Sequence, residues 1–206
     1  MALKFVHERP HTMVKRKEKK QMILTAATEC FSHMGYDKTT LDDIGEKVKL
    51  NKASLYYYYN SKEDLFCDVV YAEAQRFREE TRSMLRTFRT AEEKVVYFLS
   101  ERTLFYKRIR NLQELTDEVV KKVEPIFSTL RDGIYAEEKN LLKDVLEEGI
   151  YRGEINRTDS GKLSDVLLKV ASAFRLPAKT DGGTGDQTAL DDIRFTTRLI
   201  LRGIRG

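Results

Sequence analysis

The chain has no tryptophan and only three prolines, two cysteines and three histidines in 206 residues. Each scarcity excludes something. With 41% hydrophobic and 34% charged residues, so little proline favours a soluble, mostly helical protein long enough to bury a real core. Cys30 and Cys67 sit in amphipathic patterns without paired spacing, which reads as buried reduced thiols, not as a redox pair or metal ligands. His7, His11 and His33 form no HxxxH or CxxH arrangement, so no metal site is expected. No apolar run approaches the ~20 residues that cross a bilayer. The first residues, MALKFVHERPHTMVKRKEKK, lack the apolar stretch of a signal peptide, and the cytoplasm is the expected location. Nucleophile motifs, phosphate-cradling glycine loops and the Rossmann fingerprint are also missing, which argues against an enzyme and calls for no cofactor.

What is present is charge with a gradient. Residues 1–62 hold 12 Lys/Arg against 7 Asp/Glu, whereas the rest hold 25 against 26. The positive end is concentrated in KRKEKK, Lys15 to Lys20. Alone this run reads equally as a solvated tail. Beside a recognition helix it reads as an arm for phosphate or minor-groove contact.

Helical periodicity runs through the N-terminal third. Ile23, Ala26, Ala27, Cys30, Phe31 and Met34 mark a helix over about 18–34, closed by Gly35 as a left-handed cap. Thr40 with Asp43 forms a capping box before a short helix carrying Leu41, Ile44 and Val48. After the turn KVKLNK, Asn51 caps a third helix over about 52–58, and Ser61 with Asp64 caps a fourth reaching about Thr87. The two short helices persist only if packed on their longer neighbours, and a tight turn between them is helix-turn-helix geometry.

Four consecutive tyrosines, Tyr56 to Tyr59, end the third helix. Successive residues on a helix point about 100° apart, so they cannot all face one core. Leu55 is the inward anchor and Tyr59, four residues on, shares its face. Tyr56, Tyr57 and Tyr58 fan outward, where hydroxyls reach phosphates and rings touch a thymine methyl. An aromatic cluster stapling the third helix to the first and fourth accounts for part of the same rings.

TTLDDIGEKVKLNKASLYYYYNSKEDLF resembles the TetR-type DNA-binding domain, with its short recognition helix ending Leu-Tyr-x-aromatic-aromatic, a lysine-bearing loop and an acidic start to the next helix. The likeness covers about residues 18–66. It implies a bacterial transcriptional regulator, usually a homodimeric repressor of a palindromic double-stranded DNA operator, released by a small molecule. It maps DNA contact onto Thr40, Lys52, Ala53, Ser54, Tyr56, Tyr57, Tyr58 and Lys62, with Lys62 on phosphate and Ser54 and Tyr57 nearer base edges. Two departures stand out. Lys49 occupies the turn where the family commonly has glycine, so positive φ there would cost on the order of 1 kcal/mol. Ala53 stands where glycine is frequent and Gly45 where alanine is; neither change is expected to threaten the fold.

Beyond the fourth helix the likeness is architectural. The expected class is all-α with about nine helices: a basic arm and helix-turn-helix domain over 1–62, and a helical effector-binding and dimerisation domain over 63–206. Further helices are expected over about 91–110, 116–123 (stopping before Pro125), 126–151 with Gly153 as cap, 159–176 and 188–204, with AKTDGGTGDQ as a loop. The last two helices suit an intersubunit four-helix bundle through Leu167, Phe174, Ile193 and Ile200, or pack within one subunit. The family plan puts an effector cavity among the preceding helices, with Tyr97, Phe98, Phe105, Tyr106, Phe127 and Tyr135 as candidate linings. Arg102 would pair an anionic ligand, or reach an acidic partner such as Glu138. The alternative to a ligand-responsive repressor is a DNA-binding adaptor whose C-terminal domain docks a protein.

Overall fold

The computed structural model describes residues 10–113, 117–174 and 184–204, the side chains of 10–14, 110–127 and 184 excepted. Among the described residues it is all helical: α1 Pro10–Met34, α2 Leu41–Lys47, α3 Lys52–Tyr56, α4 Lys62–Leu85, α5 Ala91–Gln113, α6 Asp117–Tyr151, α7 Ser160–Ala173 and α8 Thr184–Arg202. None of these helices is long and apolar enough to cross a membrane. Contacts divide the chain into two units. The head comprises residues up to Val70 with 112–123; the body comprises 71–111 and 124–206. The division falls within α4, eight residues beyond the position 62 expected from sequence.

In the head, α1 supplies the stripe Ile23, Ala27 and Phe31, which is wholly buried with Ile44, Leu55, Leu65 and Phe66. Phe66 meets Phe31 and Tyr36 edge to face at 5.4 and 4.8 Å, a favoured arrangement of ring quadrupoles, and Phe31 and Tyr36 lie tilted at 5.6 Å. Gly35 ends α1 at φ 78, as its position after the apolar stripe requires. Cys30 and Cys67 are free and buried, and burial pushes the Cys67 thiol up to about 11.

Two head expectations change. The run from Lys15 to Lys20 is no extended arm but exposed turns of α1, which begins at Pro10. Proline suits a helix start because the first-turn N–H groups lack intrahelical acceptors anyway. The recognition helix is shorter than expected, with Tyr57 and Tyr58 in the turn that follows it.

The body is built on a cluster of Val95, Phe98, Leu99, Leu142, Leu146, Leu167, Leu168, Ile193 and Leu201. Here the two helices expected either side of Pro125 are one 35-residue helix, α6. A mid-helix proline removes one hydrogen bond and crowds a carbonyl, for about 3 kcal/mol. The buried stripe Ile134, Leu141, Leu142, Val145 and Leu146 holds the helix in place, and each buried aliphatic contributes about 1.5–3 kcal/mol. Eight helices therefore replace nine among the described residues. α7 and α8 occupy the two remaining periodic segments, and α8 starts at Thr184, inside the stretch expected to be a loop. The earlier part of that stretch lies outside the described residues.

Candidate nucleic-acid interface

The geometry of the head's short helices is set by caps and one tight turn. Thr40 Oγ1 accepts the Asp43 N–H at 3.1 Å, and Asp43 Oδ2 accepts the Thr40 N–H at 2.7 Å. Hydrogen bonds from the Thr40 hydroxyl and backbone hold the Asp43 carboxyl below its ordinary range. At the next cap, Asn51 Oδ1 accepts the Ser54 N–H at 2.8 Å. Ser61 Oγ accepts the Asp64 N–H at 3.0 Å, opening α4. Each such cap is worth about 1 kcal/mol.

The turn between α2 and α3 carries strain and a close approach. Lys49 takes φ 54, the left-handed conformation that costs a lysine about 1 kcal/mol. This lets the Leu50 N–H return to the Gly45 carbonyl at 2.9 Å. A Cβ on Gly45 would lie 2.7 Å from the Leu50 carbonyl oxygen, so only glycine fits. The sequence alone makes this glycine look harmless to replace; the backbone approach that demands it shows only in three dimensions.

Leu55 is fully buried and fixes the roll of α3, and Tyr59 is buried with it. Lys52, Ala53, Tyr56 and Tyr57 then face solvent, Tyr57 at 64% exposure. Ser54 and Tyr58 are half-buried, and Tyr58 meets the Tyr57 ring edge-on at 5.2 Å. Lys52 pairs with Asp42 at 3.3 Å, and Lys47 with Glu29 at 2.7 Å. Thr40 is exposed, though its hydroxyl also donates to Asp43.

Lys62 is the exception. Its ammonium donates to the Tyr36 carbonyl at 2.9 Å and the Thr39 carbonyl at 3.0 Å, and sits 4.1 Å from the Tyr36 ring centroid. Burial pulls its pKa down, against the pull of Asp37 and Glu63. In the free protein this lysine ties α4 to the loop after α1.

The residues proposed for an effector cavity are described within the body alone. Phe98 and Phe105 are buried about Phe77, which stacks on Phe105 at 4.7 Å. Tyr97 packs against Phe88. Tyr135 donates its hydroxyl to Asp165 at 3.0 Å. The Phe127 side chain lies outside the described residues. Arg102 takes the acidic alternative: Nε donates to Glu138 Oε2 at 2.8 Å and Nη1 to Ser172 Oγ at 3.1 Å, with the guanidinium 4.6 Å from the Tyr106 ring centroid. Arg102 and Glu138 are each 6% exposed, and burial pushes the Glu138 carboxyl up against the pull of Arg102. The cavity bounded by Ala74, Phe77, Phe98, Ile134, Glu138 and Leu141 measures about 10 Å³, room for about one water. Among the described candidate linings, Phe98 alone borders it.

Of the expected dimer residues, Leu167 and Ile193 are buried in the subunit's own core, and Phe174 and Ile200 are partly buried against it. The apolar stripe of these helices is legible in the sequence, but it serves the subunit's interior. The large apolar residues left outward on the described parts of α7 and α8 are Val166, Phe195 and Leu199, the last two more than 60% exposed.

Residues 23–69 match the family model described as bacterial regulatory proteins, tetR family. Over 47 residues the chain is 51% identical to the biofilm operon icaADBC HTH-type negative transcriptional regulator IcaR of Staphylococcus epidermidis; this match covers 23% of the chain and 25% of that protein. A longer match, 25% identical over 162 residues, covers 76% of the chain and 82% of the uncharacterized HTH-type transcriptional regulator YhgD of Bacillus subtilis. The fold is shared with a transcriptional regulator from Cytophaga hutchinsonii, at TM-score 0.79 and 23% identity over 90% of this chain and 98% of that one. A TetR/AcrR family regulator from Thermobifida fusca aligns at TM-score 0.65 and 25% identity, over 92% and 100% of the two chains. The capped helices, the tight turn and the aromatic end of α3 all fall inside the matched segment, which is a TetR-type DNA-binding domain of a transcriptional regulator.

Proposed function

We propose that this protein is a transcriptional repressor that binds a palindromic operator as a homodimer and is released by a small-molecule effector. The observation that carries the reading is the outward face of α3: Lys52, Ala53, Tyr56 and Tyr57 stand exposed on a helix whose roll is fixed by buried Leu55. Such a helix enters a major groove, its lysine toward phosphate and its rings toward base edges. The repressing sign is supported by the 51% match of this segment to a negative regulator.

The dimer reading is supported by α7 and α8. Phe195 and Leu199 are exposed on an otherwise polar helical face, and a second copy is the partner that a palindromic operator requires. Phe195→Glu should shift the protein to monomers in sedimentation and abolish operator affinity in duplexes selected from a random pool. A variant that remains dimeric would remove Phe195 from the seam.

Effector release requires differential affinity for two conformers. The described space beside Phe77 and Phe98, about 10 Å³, would admit an effector only if those rings part. The alternative reading is that the body docks a protein. Replacing Ala74, which borders the cavity, with Phe separates the two: it should block a small effector's response yet spare a partner bound at the surface.

A further inference from the structure

The exposed basic turns of α1 are tied to the aromatic end of the recognition helix. Arg16, Lys20, Ile23 and Ala27 follow one another at helical spacing, four, three and four residues apart, and so share one face of α1. Lower on that face Ile23 and Ala27 are wholly buried. Higher up the face turns cationic where it meets rings. Lys20 lies 5.1 Å from the centroid of Tyr59 and pairs with Asp68 at 2.7 Å. Arg16 lies 5.4 Å from the centroid of Tyr57.

We propose that Arg16 is a positioning residue for DNA reading: its guanidinium holds the Tyr57 ring in the orientation that meets a base edge. Tyr57 is the most exposed of the four tyrosines and stands in the turn after α3, so its backbone alone does not immobilise it. Tyr58 restrains the ring from one side, edge-on at 89°. A planar cation over the ring supplies the second restraint. The inference rests on the DNA-binding reading above and adds a residue that lies outside the segment matching the family model. It also gives the basic run a defined task. A flexible arm would neutralise phosphates without regard to sequence, whereas a cation fixed on a reading ring couples charge to base choice.

The test is selection of duplexes from a random pool by the full-length wild type, Arg16→Ala, Arg16→Lys, Tyr57→Leu and the Arg16→Ala/Tyr57→Leu double variant. Both side chains are exposed, so these variants fold. Tyr57→Leu should erase preference at a symmetric pair of operator positions. Arg16→Ala should narrow discrimination at those same positions by roughly two- to fivefold per half-site, the size of an exposed cation–ring contact. In the Tyr57→Leu background it should narrow nothing further. Arg16→Lys should keep the wild-type salt slope and recover part of the preference. If Arg16→Ala weakens all sequences together and leaves the preference intact, the residue supplies charge only and the inference falls. If its effect appears at other positions, or adds to that of Tyr57→Leu, the inference falls as well. A wild type that enriches no sequence overturns the DNA-reading function and this inference with it.

Discussion

The recognition surface of the head and the core of the body around Arg102 use charge in opposite ways. In the head, lysines and arginines lie along the surface, over rings or beside exposed acids, as Lys52 does with Asp42 and Lys47 with Glu29. In the body, Arg102 is folded into the interior and answered by Glu138. A surface pair is worth about 0–1 kcal/mol and is readily traded for a phosphate. A buried pair gains little in net stability, but its halves cannot be separated cheaply. Exposed cations suit a surface that exchanges partners, and an enclosed pair suits a core with one arrangement.

The largest expected effect breaks the body's side of this contrast. Glu138→Ala leaves the Arg102 guanidinium buried and uncompensated, which should cost about 3–5 kcal/mol in equilibrium denaturation. Replacing both together, Arg102→Met with Glu138→Leu, should recover most of that loss. If the single variant is as stable as the wild type, the pair is hydrated and the contrast with the head disappears.

A smaller effect lies in the head, where backbone approach takes the place of charge. Gly45→Ala sets a methyl 2.7 Å from the Leu50 carbonyl oxygen, and the turn must open to admit it. Overpacking of this kind costs about 1–3 kcal/mol. DNA binding should fall further than stability does, because α3 moves with the turn. Helical circular dichroism and operator affinity, measured on one sample, separate the two losses.

Lys62 sharpens the comparison with the smallest effect. It is the head's lysine that behaves like a body residue, with its ammonium on the Tyr36 and Thr39 carbonyls. Lys62→Ala should lower stability by about 1–2 kcal/mol, the range of lost charged hydrogen bonds. The log–log salt slope of DNA binding should stay where it is. A slope flatter by roughly two per dimer would return Lys62 to the phosphates.

Which features can be read from sequence follows from the distance over which their causes act. Thr40, Asn51 and Ser61 each accept a backbone N–H from three residues on, so the starts of α2, α3 and α4 are plain in the sequence. The same holds for Gly35 and for the inward roll of Leu55 and Tyr59. The internal contacts of Lys62 are not legible because its partners lie more than twenty residues upstream, while its neighbours in sequence belong to a DNA-facing motif. Leu167 and Ile193 mislead for another reason: a helical stripe declares that it will be buried but does not name the surface that buries it. Pro125 signals only a local bias, and the long stripe of α6 outweighs that bias. The pairing of Arg102 with Glu138 is one of two alternatives in the sequence, since a periodic pattern shows that a cation points inward without showing what awaits it.

The left-handed turn at Lys49 has a consequence for how this sequence can change. Glycine would relieve the strain at φ 54, yet no single-base change converts a lysine codon to a glycine codon. Asparagine is within one step, and it is among the residues that tolerate this conformation best. The single-base change that relieves the strain is therefore the one to asparagine, and it gives up a positive charge beside the recognition helix. Persistence of lysine under mutation would measure how much that charge is worth to selection, set against about 1 kcal/mol of backbone strain.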